Sequence, residues 1–143
     1  MRKKQWFLMI CLSLLSLGLI LPSGARAENA EVITHSSIAP GSVDADAVKK
    51  IYSGNMTKWP DGSRIIVATM DKAPFHEEFL KTYVGKTPSQ FTATWKKLMF
   101  TGKGKMPTNF DTAKDLIDFV TKTQGAIGYV NAGSNPQGIS VQK

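Results

Sequence analysis

One cysteine and two histidines are all that this 143-residue chain offers for thiol or imidazole chemistry. Cys11 lies in an apolar N-terminal run, and His35 and His76 stand 41 positions apart, which leaves no ligand set for a tetrahedral zinc site. His76-Glu77-Glu78-Phe79-Leu80 opens like a zinc-protease helix, but Leu80 stands where the second histidine would be needed. A Gly-x-Ser-x-Gly elbow is absent, so the usual serine hydrolase arrangement is missing as well. Gly102-Lys103-Gly104-Lys105 has neither the glycine spacing nor the Ser/Thr of a P-loop, and reads as an open basic loop. No fixed-period repeat is visible, which excludes a solenoid. With 12 Gly and 7 Pro the chain is also far from collagen-like or low-complexity composition. No enzyme activity, cofactor or metal is expected.

What is present is 42% hydrophobic residues, enough for one globular domain. The formal charge of +7 suggests nucleic acid until the N-terminus is read. Arg2, Lys3 and Lys4 precede an apolar stretch from Trp6 to Leu21, then Pro22-Ser23-Gly24 and the small-x-small sequence Ala25-Arg26-Ala27. That is the layout of a secretory signal peptide cleaved after Ala27. The apolar core is shorter than the ~20 residues of a membrane span. Residues 1–27 are therefore expected to be the signal and residues 28–143 a single domain in the periplasm. The signal holds four of the 18 basic residues (Arg2, Lys3, Lys4, Arg26), none of the 11 acidic ones and the sole cysteine. The remainder carries a net charge of +3 and no disulfide chemistry. Nucleic acid is not an expected partner.

Along the remaining chain the pattern alternates between short strands and amphipathic helices. Glu31-Val32-Ile33-Thr34 reads as a strand, and Asp44 as the N-cap of a helix stapled by Val43 and Val48. That helix runs to about Ser53, with Gly54 as its left-handed terminator. Pro60-Asp61-Gly62 marks a turn, and the unbroken apolar run Ile65-Ile66-Val67-Ala68 a strand covered on both faces. Phe75, Phe79 and Tyr83 repeat at helical spacing from a start near Pro74. Thr87-Pro88-Ser89-Gln90 is a capping box ahead of a helix with Phe91, Trp95, Leu98 and Met99 on one stripe. A helix over about 112–122, a strand through Ala126–Val130 and a terminal strand at Ile139-Ser140-Val141 complete the set. Four strands and four helices predict an α/β domain with a short mixed sheet flanked by helices.

Several segments then fall in a specific order: Ile51-Tyr52-Ser53-Gly54, Trp59-Pro60-Asp61-Gly62, Phe75 with Phe79-Leu80, Trp95, Phe100-Thr101-Gly102, Pro107, and Gly125-Ala126-Ile127-Gly128-Tyr129-Val130. In this the chain resembles the phosphate-binding-protein-like family of the type 2 periplasmic-binding-protein superfamily, and within it short single-lobe phosphate ABC transporter substrate-binding proteins. The likeness extends from about Glu31 to Val141. It implies a single periplasmic-binding-protein-like lobe in which strand-end loops and helix N-termini hold a small anion. The stretch matching the phosphate-binding Ser-Gly-Thr segment of full-length receptors is Met70-Asp71-Lys72-Ala73-Pro74-Phe75-His76, where Pro74 removes one amide donor.

On that basis the expected function is binding of phosphate or a related small oxyanion in association with the membrane component of an ABC uptake system. The alternative is a non-enzymatic periplasmic interaction or assembly protein that keeps the lobe without a ligand; a homodimer would be one way to rebuild a two-sided cleft. The candidate ligand-binding residues are Ser36 and Ser37, after the first strand, with Lys72 and His76 around the second helix start. Hydroxyls, an ammonium and a titratable imidazole suit an oxyanion, with binding expected to strengthen as pH falls through about 6.5. The same four residues also read as a chain turn and two solvated side chains.

Overall fold

The computed structural model describes residues 30–39 and 42–134. The signal segment and the strand expected at 139–141 lie outside the described residues. The elements run β1 (Ala30–Thr34), α1 (Ala45–Tyr52), β2 (Ile66–Thr69), α2 (Phe75–Phe79), α3 (Pro88–Phe100), β3 (Thr108–Asn109), α4 (Ala113–Lys122) and β4 (Ala126–Asn131). The sheet order is β1-β4-β2-β3, with β1 antiparallel to β4 and the other two pairings parallel. It is an α/β domain with a short mixed sheet, as the sequence implies.

The helix ends follow their local chemistry. Asp44 accepts the Ala47 N–H at 2.7 Å, with Val43 and Val48 both buried. At α3 the Thr87 hydroxyl accepts the Gln90 N–H at 3.2 Å while the Gln90 side chain accepts the Thr87 N–H at 3.0 Å, closing the box reciprocally. Gly54 takes φ +74° directly after α1, a conformation glycine adopts without a Cβ penalty. Two expectations needed revision. The Phe75–Phe79–Tyr83 pattern does not continue as one α-helix: α2 stops after five residues and widens into a π-helical turn over Leu80–Val84. On α3, Phe91 and Trp95 are buried, but Leu98 is only half-buried and Met99 is 42% exposed, so the inner stripe ends one turn early.

Alternation along β4 divides the core. Gly128 faces α4, where an added Cβ would press on Leu116 and Val120. Tyr129 faces the other way, stacked on Phe79 with ring centroids 3.8 Å apart and edge-on to Tyr52 and Phe75. All residues from Ala126 to Val130 are buried, which is why their sequence is uniformly apolar rather than alternating. Indole donors make two long-range ties: Trp59 Nε1 donates to the Gly125 carbonyl at 2.9 Å, and Trp95 Nε1 links α3 to the end of α1 through the Tyr52 carbonyl at 3.1 Å.

Candidate functional site

The direction of β1 decides where the sequence-predicted residues fall. Thr34 pairs with Ile127, and the His35 N–H donates to the Ala126 carbonyl at 3.0 Å. The loop leaving β1 therefore emerges where β4 begins. The loop leaving β2 emerges at the opposite end of the sheet, because β2 runs parallel to β4. Ser36 and Ser37 are thus on one end and Lys72 and His76 on the other. The four do not form one cluster. Ser36 and Ser37 are exposed in a tight turn, in which the Ser37 N–H donates to His35 Nδ1 at 3.0 Å and the Ser37 hydroxyl meets the same nitrogen at 2.8 Å.

At the far end, β2 delivers Met70 into the core and then turns through Asp71, Lys72 and Ala73 into α2. The Ala73 N–H donates to the Met70 carbonyl at 2.9 Å and the His76 N–H to the Ala73 carbonyl at 3.0 Å. β3 braces this turn: Asn109 Oδ1 accepts the Asp71 N–H at 3.0 Å, and Lys72 Nζ lies 2.9 Å from Asp111 Oδ1. Asp111 raises the lysine pKa above its ordinary value by hydrogen bond and charge, so Lys72 is an ammonium already matched to a carboxylate.

His76 is 3% exposed. Its Nδ1 is hydrogen-bonded to the Tyr129 hydroxyl, whose oxygen also accepts the Met70 N–H at 3.3 Å. Burial pushes the imidazole pKa below 6.5, with the Asp71 charge opposing the shift in part. The titration expected near 6.5 is therefore displaced downward. Burial also drives the Tyr129 phenol well above its usual range, so it remains protonated.

Between this turn and the first half of α3 lies an open pocket of about 490 Å³, bordered by Asp71, His76, Ser89, Thr92 and Lys96 among others. Of the four sequence-predicted residues only His76 borders it; Lys72 is engaged on the β3 side. Ser89, Thr92 and Lys96 were missed by sequence reasoning, although their i, i+3, i+7 spacing puts them on one face of α3. That face is the polar counterpart of the Phe91–Trp95 stripe, and it reads as ordinary solvated surface until the β2 turn is placed beside it. Lys96 has no ion-pair partner among the described residues. Among the described residues no group of three or more His, Cys, Asp or Glu is placed to hold a metal, and no helix is long and apolar enough to cross a membrane.

A family model described as a PBP superfamily domain matches residues 29–143. Among solved structures, an ABC-type phosphate transport receptor from Vibrio cholerae is similar to this chain, with a TM-score of 0.50 and 13% sequence identity. The match covers 79% of this chain and 45% of that one, so the chain spans less than half the receptor's length. At this identity the likeness is one of fold. No curated protein matches the chain.

Proposed function

We infer the function from one premise: this chain belongs to the PBP superfamily. It is a solute-binding lobe, exported by a signal cleaved after Ala27, that holds phosphate or a closely related oxyanion in association with an ABC uptake system. The family match begins at residue 29, next to the expected cleavage point, which supports 1–27 as signal and 28–143 as the domain. The similar Vibrio cholerae protein is a phosphate transport receptor, which supports the ligand class and the transporter as partner.

The observation that carries the reading is the open pocket at the end of β2, which Ser89, Thr92 and Lys96 border together with the buried His76. Donors of this kind at the carboxyl end of a parallel strand suit a small anion. Asp71 on the same border adds selectivity. A carboxylate only accepts hydrogen bonds, so it tolerates an anion that keeps a proton, as phosphate does, and repels sulfate, which does not. Lys72 lies just outside, as a cation that an anion could draw from Asp111. Ser36 and Ser37, at the other end of the sheet, would serve a separate contact.

Thermal shift with phosphate and sulfate tests the reading. Phosphate at about 100 times its dissociation constant stabilises by about 2.7 kcal/mol, and Lys96→Gln removes the shift while leaving the unliganded melting temperature unchanged. A second reading, an interaction or assembly protein without a ligand, is favoured by the Lys72–Asp111 ion pair, which already satisfies the cation nearest the turn. It gains if no oxyanion at millimolar concentration moves the melting temperature. Sedimentation with and without phosphate reports whether two copies pair.

A further inference from the structure

β3 pairs only with Ala68 and Thr69, so the earlier part of β2 has no strand beside it on that side. In its place is a cleft of about 420 Å³, within the range of ligand sites that take small organic molecules. Much of its lining is apolar, supplied by Met56, Val67, the Trp95 ring and the exposed Met106. The Trp95 Nε1 is committed to the Tyr52 carbonyl, so the indole offers the cleft hydrocarbon rather than a donor.

The border of the cleft has the opposite character. Lys58 and Arg64 border it from the Trp59–Ser63 turn, and Lys103 and Lys105 from the glycine-rich loop after α3. Lys58 and Arg64 are direct partners in a single antiparallel bridge, which sets two like charges opposite each other on one face. Such a pair is repulsive unless something negative lies between. Lys50, Lys72 and Lys114 each have a carboxylate within 3.0 Å, whereas none of these four cations has one among the described residues. No acidic residue borders the cleft either. The loop is nonetheless held in place: the Lys103 and Gly104 N–H groups donate to the Leu98 carbonyl at 2.9 and 3.2 Å.

We propose that this cleft binds an organic anion, a phosphate or carboxylate carried on an aromatic or short aliphatic body. The body fills the space over Trp95 and the two methionines, and the anionic head sits among Lys58, Arg64, Lys103 and Lys105. An inorganic oxyanion alone would leave the apolar lining uncovered, and a neutral aromatic would leave the four charges unmatched. The site lies at the opposite end of β2 from the oxyanion pocket and does not depend on that assignment.

Calorimetric titration of the chain with 1-naphthyl phosphate, inorganic phosphate and 1-naphthol tests it. Naphthyl phosphate binds, and the double variants K58Q/R64Q and K103S/K105S each weaken it by about tenfold or more, as expected for lost charge-assisted contacts. Both variants alter exposed side chains and keep the parent melting temperature. Lys96→Gln, at the other pocket, leaves naphthyl phosphate binding unchanged, which separates this site from the proposed oxyanion site. The proposal is overturned if naphthyl phosphate shows no binding at millimolar concentration, or if 1-naphthol binds equally well. It is also overturned if inorganic phosphate competes at equal concentration, or if Lys96→Gln rather than the double variants abolishes binding. A hexaglutamate peptide that binds more tightly and is lost in the double variants would replace it with a groove for an acidic strand.

Discussion

The Tyr129 hydroxyl joins His76 to the backbone of Met70, accepting the Met70 N–H while meeting His76 Nδ1. A phenol that already accepts one hydrogen bond has its single proton to give, and the imidazole is the remaining partner. Nδ1 is therefore the acceptor, and the proton of the neutral ring is on Nε2. This links the exit of β2, the start of α2 and the middle of β4 through one oxygen.

Protonating His76 would place a hydrogen on Nδ1, reversing that hydrogen bond and leaving the phenol proton without its acceptor. Because burial holds the folded-state pKa below 6.5, the group is neutral in both states above about pH 6.5 and stability is complete there. As pH falls through 6.5 the unfolded chain takes up a proton that the folded chain refuses, so stability declines toward the lower folded pKa. Melting temperatures measured from about pH 8 to 5 should fall on the acid side. In His76→Leu that decline should flatten, and an unchanged acid slope would show that other groups set it.

Thr34 Oγ1 is buried with no hydrogen-bond partner among the described residues. Replacing an unsatisfied hydroxyl with a methyl of similar shape removes a desolvation penalty. Thr34→Val is expected to stabilise by about 1 kcal/mol in a denaturant titration. A loss of stability would mean that the hydroxyl has a partner after all.

Gly125 turns the chain into β4 at φ +77°, and an added Cβ would collide with the Arg64 carbonyl oxygen. The same residue's carbonyl receives the Trp59 indole. Gly125→Ala combines a left-handed backbone penalty with displacement of backbone, and should destabilise by about 2 kcal/mol or more. The denaturation midpoint measures it.

Asp111→Asn would leave Lys72 charged and unmatched beside the β2 turn. If an oxyanion binds there, the variant should bind phosphate more tightly than the parent, with an unliganded melting temperature close to the parent's because the ion pair is exposed. Equal affinity in parent and variant would exclude Lys72 from the site.

Features written in local chemistry were legible in the sequence. The Asp44 cap, the Thr87–Gln90 box and α4 rest on contacts within a few residues, which spacing alone reports, and the run Ile65–Ala68 marked β2, found at Ile66–Thr69, by its unbroken apolar character. β3 was not legible, because Thr108 and Asn109 are exposed and polar and become a strand only through pairing with Ala68 and Thr69. The π-helical turn over Leu80–Val84 keeps an apolar pattern close enough to helical to pass for an α-helix.

The placement of the candidate site residues was less legible. Strand-end loops were identified, yet Ser36–Ser37 and Lys72–His76 were grouped together. Their separation depends on β1 running antiparallel to β4, a fact set by the pairing of Val32 with Tyr129 far along the chain. His76 was read as solvated or ligand-facing; its burial follows from Tyr129 and Phe91, which no local pattern connects to it. The Ser89–Thr92–Lys96 face was visible as spacing but had no meaning until β2 was oriented.

The antiparallel pairing of β1 with β4 also orders the folding reaction. Among the described residues β1 is the first strand and pairs only with β4, the last, from Ala30 with Asn131 to Thr34 with Ile127. β4 is also what joins β1 to β2. Contacts this distant along the chain carry a large loop-closure entropy cost, so sheet closure is expected to come late in folding. For a chain exported as proposed, synthesis would deliver four helices before the strand that links the sheet. Until β4 has emerged, β1 has no strand to join among the described residues, and the chain stays open enough to be threaded across a membrane.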